Sequence, residues 1–230
     1  MEFSGKKVTV VGTGISGIGA VGLLNAVGAE VVLYDGNEKL KIEDIEKKLG
    51  TYKAEIVLGE LTKELTDSSD LLVISPGVPI DSPVVKAFEA AGVPVWGEVE
   101  LAYAFDKGKV LAITGTNGKT TTTALVGQIV GAYHKDTFVV GNIGNPYTTE
   151  VLKSNKDSYT VAEISSFQLE TVHEFHPLVS AILNITPDHL NRHYTMDCYV
   201  QTKEKIAMNQ KGSEAVSYTH LRAHETELHL

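Results

Sequence analysis

The sequence predicts an α/β protein made of two units in tandem. Three observations support this fold class. Short apolar runs alternate with stretches of helical length, two glycine-rich loops each follow such a run, and the pattern restarts once within the 230 residues. Runs that are apolar throughout, with helices between them, indicate parallel strands covered on both faces.

The first unit begins with a strand that leads directly into a glycine-rich loop and a helix. This order is typical of the nucleotide-binding half of a doubly wound sheet. The predicted strands cover residues 8–11, 30–34, 56–58 and 71–75, and the predicted helices cover residues 15–27, 42–49 and 83–91.

The second unit repeats the same arrangement after a boundary near residues 94–108. We therefore predict one domain over residues 1–95 and another over residues 96–215. In the second domain the strands cover residues 109–114, 137–140, 159–164 and 179–185, and the helices cover 119–131 and 197–208.

Residues 216–230 do not fit this pattern, because an α/β domain should supply another apolar strand here and we predict none. His224 and His229 suggest a metal site, but they are five positions apart. Zinc motifs place two histidines four apart on one helical face. We interpret the segment as an atypical tail, foreign to the domain.

Composition excludes several classes of protein. The chain is 43% hydrophobic and 21% charged, which is ordinary for a globular protein, and its net charge of -9 argues against nucleic-acid binding. One cysteine, Cys198, excludes an internal disulfide and fits a reducing compartment. With no signal-like start and no apolar run near the ~18–20 residues of a membrane span, we expect a cytoplasmic protein without a membrane partner.

The second glycine-rich loop, residues 115–120, reads Gly-Thr-Asn-Gly-Lys-Thr between a strand and a helix. In such loops backbone amides surround phosphate oxygens, the lysine reaches the β- and γ-phosphates, and the hydroxyl ligates Mg²⁺. Ile113 stands where the common loop has a glycine, so this is a variant loop; an ordinary turn is the alternative. The predicted ATP site comprises Gly115, Thr116, Asn117, Gly118, Lys119, Thr120, Thr121 and Thr122.

The first glycine-rich loop, residues 12–17, matches G-x-G-x-x-G, and Asp35 ends the next strand where a ribose-binding acid would lie. By itself this pattern indicates NAD or FAD. A tight structural turn and a site for the diphosphate of another nucleotide both remain open. The turn at residues 75–78, Ser-Pro-Gly-Val, could face the same crevice.

Two polar segments close strands of the second unit, where parallel sheets place their sites. One begins at Glu163 and the other contains His189. Mg²⁺ prefers oxygen ligands, so Glu163 is the better candidate ligand and His189 the weaker one. Glu163 as a helix N-terminal acid, His189 as a polar turn residue, and an ordinary β-turn at residues 141–144 are the alternatives.

These motifs together resemble the Mur ligases. The resemblance rests on Thr-Gly-Thr-Asn-Gly-Lys-Thr at 114–120, Gly-Asn-Ile-Gly at 141–144, Glu-Ile-Ser-Ser-Phe-Gln-Leu-Glu at 163–170 and Asp-His-Leu at 188–190, and it runs from about Lys6 to Glu214. It implies a Rossmann-like domain that binds the UDP part of a substrate rather than NAD, followed by an incomplete P-loop-type ATP-binding α/β domain.

The resemblance also implies an activity. It is an ATP-dependent acid–amino-acid ligase of peptidoglycan synthesis, monomeric, with ATP and Mg²⁺ as cofactors. UDP-N-acetylmuramoyl-L-alanine and D-glutamate would be its substrates. A sibling ligase for another amino acid, a nicotinamide-dependent oxidoreductase and a nucleotide-binding module without chemistry are the alternatives.

Residue roles follow from the same resemblance. The substrate-binding residues would be Ile15, Ser16, Asp35, Gly36, Ser75, Gly77, Asn142, Ser165 and His189. The metal site would use Thr120, Glu163, His189 and Lys203, and the catalytic residues would be Lys119, His189 and Lys203.

Lys203 matches the lysine that the family carbamylates, in the segment Tyr-x-x-x-Lys-x-x-Ile at 199–206. A carbamate converts a cation into an anion that can bind metal. Lys205 is the rival, and a solvated helix lysine is the simpler alternative. The family also has a carboxy-terminal domain for the incoming amino acid, which this sequence lacks, so we expect the chain alone not to ligate D-glutamate.

Overall fold

The computed structural model describes residues 2–142, 145–211 and 215–218. The chain forms two compact units. The first comprises Met1–Phe105, Pro146–Leu152 and Thr171–His173, and the second comprises Asp106–Asn145, Lys153–Glu170 and Glu174–Leu230.

The first unit is a five-stranded parallel sheet in the order β3-β2-β1-β4-β5. Strand β1 lies at its centre and is buried along most of its length, because its Val-rich sequence packs on both faces. The strands are β1 (Lys7–Val11), β2 (Glu30–Asp35), β3 (Glu55–Leu58), β4 (Leu71–Ile74) and β5 (Val95–Gly97). The helices are α1 (Ile15–Ala26), α2 (Ile42–Leu49), α3 (Lys63–Ser68), α4 (Pro83–Ala90), α5 (Glu98–Tyr103) and, later in the chain, α7 (Tyr147–Glu150), which runs into a 3-10 turn at Val151–Lys153.

The second unit is also a five-stranded parallel sheet, but its strand order, β10-β9-β6-β8-β7, differs from that of the first, because the central β6 pairs with β8 and not with the next strand in the chain, β7. Strand β6 is central, so each glycine-rich loop follows the middle strand of its sheet. The strands are β6 (Lys109–Thr114), β7 (Thr137–Gly141), β8 (Tyr159–Glu163), β9 (Val179–Ile182) and β10 (Ala215–Tyr218). The helices are α6 (Lys119–Tyr133), α8 (Ser166–Leu169), α9 (Leu190–His193) and α10 (Met196–Glu204), with a 3-10 turn at Lys205–Ala207.

The α/β class and the predicted strands and helices up to residue 204 are confirmed, with shifts at their ends. The strand predicted over 179–185 ends at Ile182, and the helix predicted over 197–208 gives way to the 3-10 turn. The short helices α3, α7, α8 and α9 were not predicted, because each spans too few residues to show a helical period. Residues 95–103, placed in the boundary, form β5 and α5 instead.

The expectation that no strand follows residue 215 is wrong for residues 216–218. The backbone of Ala215–Tyr218 pairs in parallel with β9, from Ala215 opposite Val179 to Tyr218 opposite Ile182. A valine and a tyrosine favour a strand here, and the neighbouring β9 supplies the hydrogen-bonding partner. The two tail histidines considered for a metal site lie outside the described residues.

Across the described part of the chain, every helix is either too short or too polar to cross a membrane.

Candidate active site

The phosphate loop joins β6 to α6 and depends on two glycines. Gly115 has φ +150°, and a Cβ there would lie 3.1 Å from Leu183 Cβ and 3.3 Å from the backbone of Asn184. Gly118 has φ +82°, a left-handed conformation that side chains disfavour, and it caps the amino terminus of α6. Backbone conformation therefore favours glycine at both positions, and at Gly115 the space for a side chain is also tight.

Asn184, just beyond β9, holds the first half of this loop in place. Its carbonyl accepts from the Thr116 amide at 2.9 Å, its Oδ1 accepts from the Asn117 amide at 2.9 Å, and its Nδ2 donates to the Asn117 carbonyl at 2.9 Å. Because those two loop amides are engaged, the first turn of α6 offers the amide donors for a phosphate. The first amides of a helix have no intrahelical partner and lie at its positive end.

Lys119, at the start of α6, curls over its own loop. Its ammonium donates to the carbonyls of Gly115 and Thr116, both at 2.9 Å. These contacts hold a positive charge directly at the loop, where it can pair with an anion. Thr121 is exposed and Thr122 half-buried in the following turn.

Glu163 forms the acidic part of this site. It ends β8, beside β6, and is 1% exposed. Its Oε2 accepts from the Thr120 hydroxyl at 2.9 Å, and its Oε1 accepts from Asn142 Nδ2 at 2.8 Å. The structure thus brings together three residues predicted for the site, 43 and 21 residues apart in sequence.

Lys203, on α10, also contacts the loop and is 1% exposed. Its ammonium donates to the Gly115 carbonyl at 2.9 Å and to Thr114 Oγ1 at 3.4 Å. Burial lowers the pKa of Lys203 to about 7, the charge of Lys119 lowers it as well, and Asp188 raises it. A large fraction of Lys203 is therefore a neutral amine near neutral pH.

The rival Lys205 is directed elsewhere, since its ammonium donates to the Glu170 carbonyl at 2.9 Å. The burial of Lys203 also contradicts the interpretation of that residue as a solvated helix lysine.

His189 is held in a left-handed conformation, with φ 53°. Such conformations are uncommon for residues other than glycine and concentrate at functional sites. Its ring lies 4.8 Å from that of Phe167, and its Nε2 is 3.5 Å from Asp188 Oδ2. The structure does not join His189 directly to Glu163 or Thr120 through any of its described contacts.

Ser165 caps the short helix α8. Its hydroxyl accepts from the Gln168 amide at 3.3 Å, and Gln168 Oε1 accepts from the Ser165 amide at 2.8 Å. This reciprocal capping box sets the direction of the chain immediately after Glu163.

The first glycine-rich loop depends on close packing. A Cβ on Gly17 would lie 1.9 Å from the Gly12 carbonyl oxygen, and one on Gly12, which has φ +105°, would lie 2.7 Å from Ser75 Oγ. Gly14 has open space around it. The loop and the turn after β4 are therefore in direct contact, as expected of segments at neighbouring strand ends.

Asp35, at the end of β2, faces the same loop. Its Oδ2 accepts from the Thr13 hydroxyl at 3.1 Å, and its Oδ1 accepts from the Asn37 amide at 3.1 Å. Of the other residues predicted here, Ile15 is 79% exposed, Ser16 is half-buried, and Gly36 and Gly77 are exposed.

A cavity of about 480 Å³ adjoins this loop. Lys48 is the one charged side chain among its described lining residues, and its ammonium lies 3.3 Å from the Thr13 carbonyl, to which it donates. The rest of the lining is mostly apolar, with Ile15, Ile18 and Tyr52 as its large members.

Within residues 2–142, 145–211 and 215–218, no three histidine, cysteine, aspartate or glutamate side chains come close enough together to form a metal cluster. A metal at the second loop would therefore rely on Glu163 together with hydroxyl, phosphate and other oxygen donors.

Comparison with known proteins identifies the family of this chain. Residues 6–97 match the family model described as Mur ligase MurD-like, N-terminal domain, and residues 113–224 match the Mur ligase middle domain. The chain belongs to the Mur ligase family. The middle-domain match continues past Glu214, where the sequence resemblance was expected to stop, to residue 224.

Individual relatives of this Mur ligase chain carry one name. A UDP-N-acetylmuramoylalanine--D-glutamate ligase of Lachnospira eligens is 71% identical over 214 residues, which are 93% of this chain and 48% of the relative. A ligase of the same name from Lachnoclostridium phytofermentans is 59% identical over 211 residues, covering 91% of this chain and 46% of the relative. The chain thus spans about half the length of these relatives.

A solved structure supports the fold. The UDP-N-acetylmuramate:L-alanyl-gamma-D-glutamyl-meso-diaminopimelate ligase of Neisseria meningitides is 16% identical with a TM-score of 0.59, and the match covers 96% of this chain and 73% of that one.

The structure adds residues around the phosphate loop that were not predicted from the sequence. Asn184 clamps the loop, Thr114 lies beside Lys203, and the Tyr199 hydroxyl is 3.1 Å from Thr116 Oγ1. Tyr199 opens the Tyr-x-x-x-Lys segment, so its position in that motif was the available signal. Asn184 was available as the first residue of a polar strand-end segment.

Proposed function

We propose that this chain carries the UDP-substrate-binding and ATP-binding parts of a ligase that adds D-glutamate to UDP-N-acetylmuramoyl-L-alanine in the cytoplasm, using ATP and Mg²⁺. The observation that carries the proposal is the phosphate loop with Glu163 bonded to Thr120, in a chain 71% identical to a D-glutamate ligase. The ligase as a whole would act as a monomer.

The first loop is proposed to hold the UDP end of the substrate. Asp35 and Gly36, with Ile15 and Ser16, would face the uridine, and the turn carrying Ser75 and Gly77 would face the diphosphate. The packing of Gly12 and Gly17 supports this role, because it keeps the backbone close to the position of the ligand. Asp35 alone does not indicate NAD, since the family match covers this unit.

The second loop is proposed to hold ATP. Residues 115–122 would surround the phosphates, with Lys119 pairing with the negative charge that develops during transfer. The γ-phosphoryl group would pass from ATP to the alanyl carboxylate, leaving ADP and an acyl phosphate. The amine of D-glutamate would then attack the acyl carbon, losing a proton, and phosphate would leave as the amide forms.

The donor set of this site fits Mg²⁺, because Thr120 and Glu163 present oxygens at one point and Glu163 is fully buried. Thr120, Glu163, His189 and a modified Lys203 would hold the metal, which when bound would neutralise phosphate charge. Asn142 and Ser165, with His189, would face the muramoyl part of the substrate. Asn142 already contacts Glu163.

We propose that Lys203 is the carbamylated lysine. Its burial and its lowered pKa favour a neutral amine, the form that adds to CO₂. Incubation with ¹³C-bicarbonate should give a carbamate signal in NMR spectra of the wild type and of Lys205→Met, but not of Lys203→Met. A signal that persists in Lys203→Met would refute the assignment.

Calorimetric titration of the purified chain tests the ligand assignments. We expect UDP-N-acetylmuramoyl-L-alanine and ATP·Mg²⁺ each to bind with one site, and NAD to give no heat. Asp35→Asn should weaken binding of UDP-N-acetylmuramoyl-L-alanine and leave binding of ATP·Mg²⁺ unchanged. Glu163→Gln should weaken binding of ATP·Mg²⁺ and leave binding of the UDP ligand unchanged. Binding of NAD with no binding of the UDP ligand would show that the proposal is wrong.

A further inference from the structure

Ser166, His193 and Glu170 form a buried chain of polar side chains in the second unit that the proposed reaction does not use. His193 is 1% exposed and Ser166 is 2% exposed. His193 Nε2 lies 2.9 Å from Ser166 Oγ, and its Nδ1 lies 3.6 Å from Glu170 Oε1. A serine, a histidine and an acid in this order also form the catalytic triad of many hydrolases. The Ser166 hydroxyl, however, is buried and cannot reach a substrate, so these three side chains must have another role.

The donors and acceptors of this chain follow from its chemistry. Arg192 donates through two guanidinium nitrogens to the carboxylate of Glu170, which can therefore only accept. Of the two neutral tautomers of His193, the one with its proton on Nδ1 directs that proton toward this carboxylate, and in that tautomer the Ser166 hydroxyl donates to Nε2. Burial lowers the pKa of His193 by more than Glu170 raises it, so the ring is neutral.

The ring fixed in this way contacts Tyr199. The two ring centroids are 5.1 Å apart with the planes at 41°. Tyr199 is itself 1% exposed, and its ring lies 4.8 Å below the ammonium of Lys203. A rotation of His193 would therefore disturb the packing of a residue that borders the active-site lysine.

Tyr199 in turn contacts the phosphate loop. Thr116 Oγ1 donates to the Thr186 carbonyl at 3.1 Å and accepts from the Thr186 amide at 3.0 Å. Its one proton is thereby used, so the Tyr199 hydroxyl donates to Thr116 Oγ1, at 3.1 Å. Burial raises the pKa of Tyr199, which keeps this hydroxyl protonated.

We propose that His193 is a positioning residue: clamped between Ser166 and Glu170, it holds Tyr199 against Thr116 and under Lys203, and so sets the shape of the phosphate loop. Its effect on ATP binding rests on the proposed function. Its effect on the order of the loop does not.

The first test measures the order of the loop without nucleotide. The amides of Thr116 and Asn117 are hydrogen-bonded, so their hydrogen exchange reports opening of the loop. His193→Phe keeps a ring but loses both nitrogen contacts, and it should speed exchange in residues 113–120 by roughly three- to tenfold. His134→Phe is the matched control, because its ring stacks on Tyr159 at 4.2 Å, at the opposite end of β8.

The second test measures coupling through Tyr199. His193→Phe and Tyr199→Phe should each weaken binding of ATP·Mg²⁺ by roughly three- to tenfold, and the double variant should lose little more than the worse single variant. If His193 contributed only to stability, its variants would lower the unfolding temperature, but the losses of ATP·Mg²⁺ affinity in the two single variants would not be coupled in the double variant.

The outcomes separate the two claims. Unchanged exchange in residues 113–120, equal acceleration over the whole second unit, or additive losses of affinity would each overturn the positioning role. A wild-type chain that fails to bind ATP·Mg²⁺ would refute the proposed function, and the exchange result would then decide the inference alone. If His193→Phe does not fold, Ser166→Ala can replace it, because that variant removes only one hydrogen bond to His193. Ser166→Ala should also speed hydrogen exchange in residues 113–120, by a smaller factor.

Discussion

The two glycine-rich loops each follow the central strand of a five-stranded parallel sheet, yet the two loops differ in which residues hold them and in the charges they carry. In the first loop Gly17 is required because the Gly12 carbonyl lies so close, and Lys48, whose ammonium donates to the Thr13 carbonyl, comes from another helix. In the second loop the lysine lies within the loop, and the strand-end acid Glu163 contacts the next residue, Thr120. One loop provides a tight backbone, and the other adds charge and oxygen donors.

This difference indicates which ligand each loop suits. A tight backbone with few charges suits a nucleotide that is held and not altered. A loop with its own cation beside a buried carboxylate suits a phosphate that is transferred, where charge must be stabilised as it moves.

The largest expected effect tests the tight backbone. Gly17→Ala would place a Cβ 1.9 Å from the Gly12 carbonyl oxygen, so the first unit should lose about 3 kcal/mol of stability. Gly14→Ala, which has open space, should change the unfolding free energy by less than about 0.5 kcal/mol.

Trp96 makes this measurement specific, since it is the chain's one tryptophan and lies in β5 of the first sheet. Urea unfolding followed by its fluorescence should show the loss. Equal midpoints for the two alanine variants would mean that the loop tolerates a side chain at both positions.

The next effect tests the charged loop. Lys119→Met removes a cation at the phosphate site, so affinity for ATP·Mg²⁺ should fall by roughly ten- to a hundredfold, as expected for charged hydrogen bonds. Lys48→Met is the matched variant at the first loop. It should leave the affinity for ATP·Mg²⁺ unchanged and lower the affinity for UDP-N-acetylmuramoyl-L-alanine. Calorimetric titration of both variants with both ligands measures these affinities. If Lys48→Met reduced the affinity for ATP·Mg²⁺ as strongly as Lys119→Met does, the proposed difference between the two loops would be wrong.

The smallest effect concerns acid stability of the second unit. Burial holds the pKa of His193 below its usual 6.5, so the unfolded chain takes up this proton first as pH falls. Folding is therefore destabilised below about pH 6.5, and no penalty from this group remains above it. Glu170, Arg192, His189 and Lys203 are the charged or titratable groups that act on this ring.

His193→Phe should accordingly flatten the dependence of unfolding free energy on pH between pH 5 and 6.5, by at most one proton. Denaturant titrations at several pH values measure this, with His134→Phe as the control. A slope that is the same in wild type and His193→Phe would show that His193 is not protonated on unfolding in this range.

Much of this protein could be predicted from its sequence, because the features concerned are local. The apolar period of the strands, the glycines of each loop and the lysine at the start of α6 all act within a few residues of one another. The same holds for the strand-end position of Glu163, which follows from the length of its apolar run. These features were sufficient to predict the α/β class and to suggest the family.

The tertiary structure alone decided the contacts between distant segments. The bonds of Glu163 to Thr120 and Asn142, the clamp of Asn184 on the loop, and the chain from Ser166 through His193 to Tyr199 depend on which strands are neighbours. So does the strand at residues 215–218, whose short sequence pairs because β9 presents an open edge to it. Pairing order is a property of the whole sheet, and no local period encodes it.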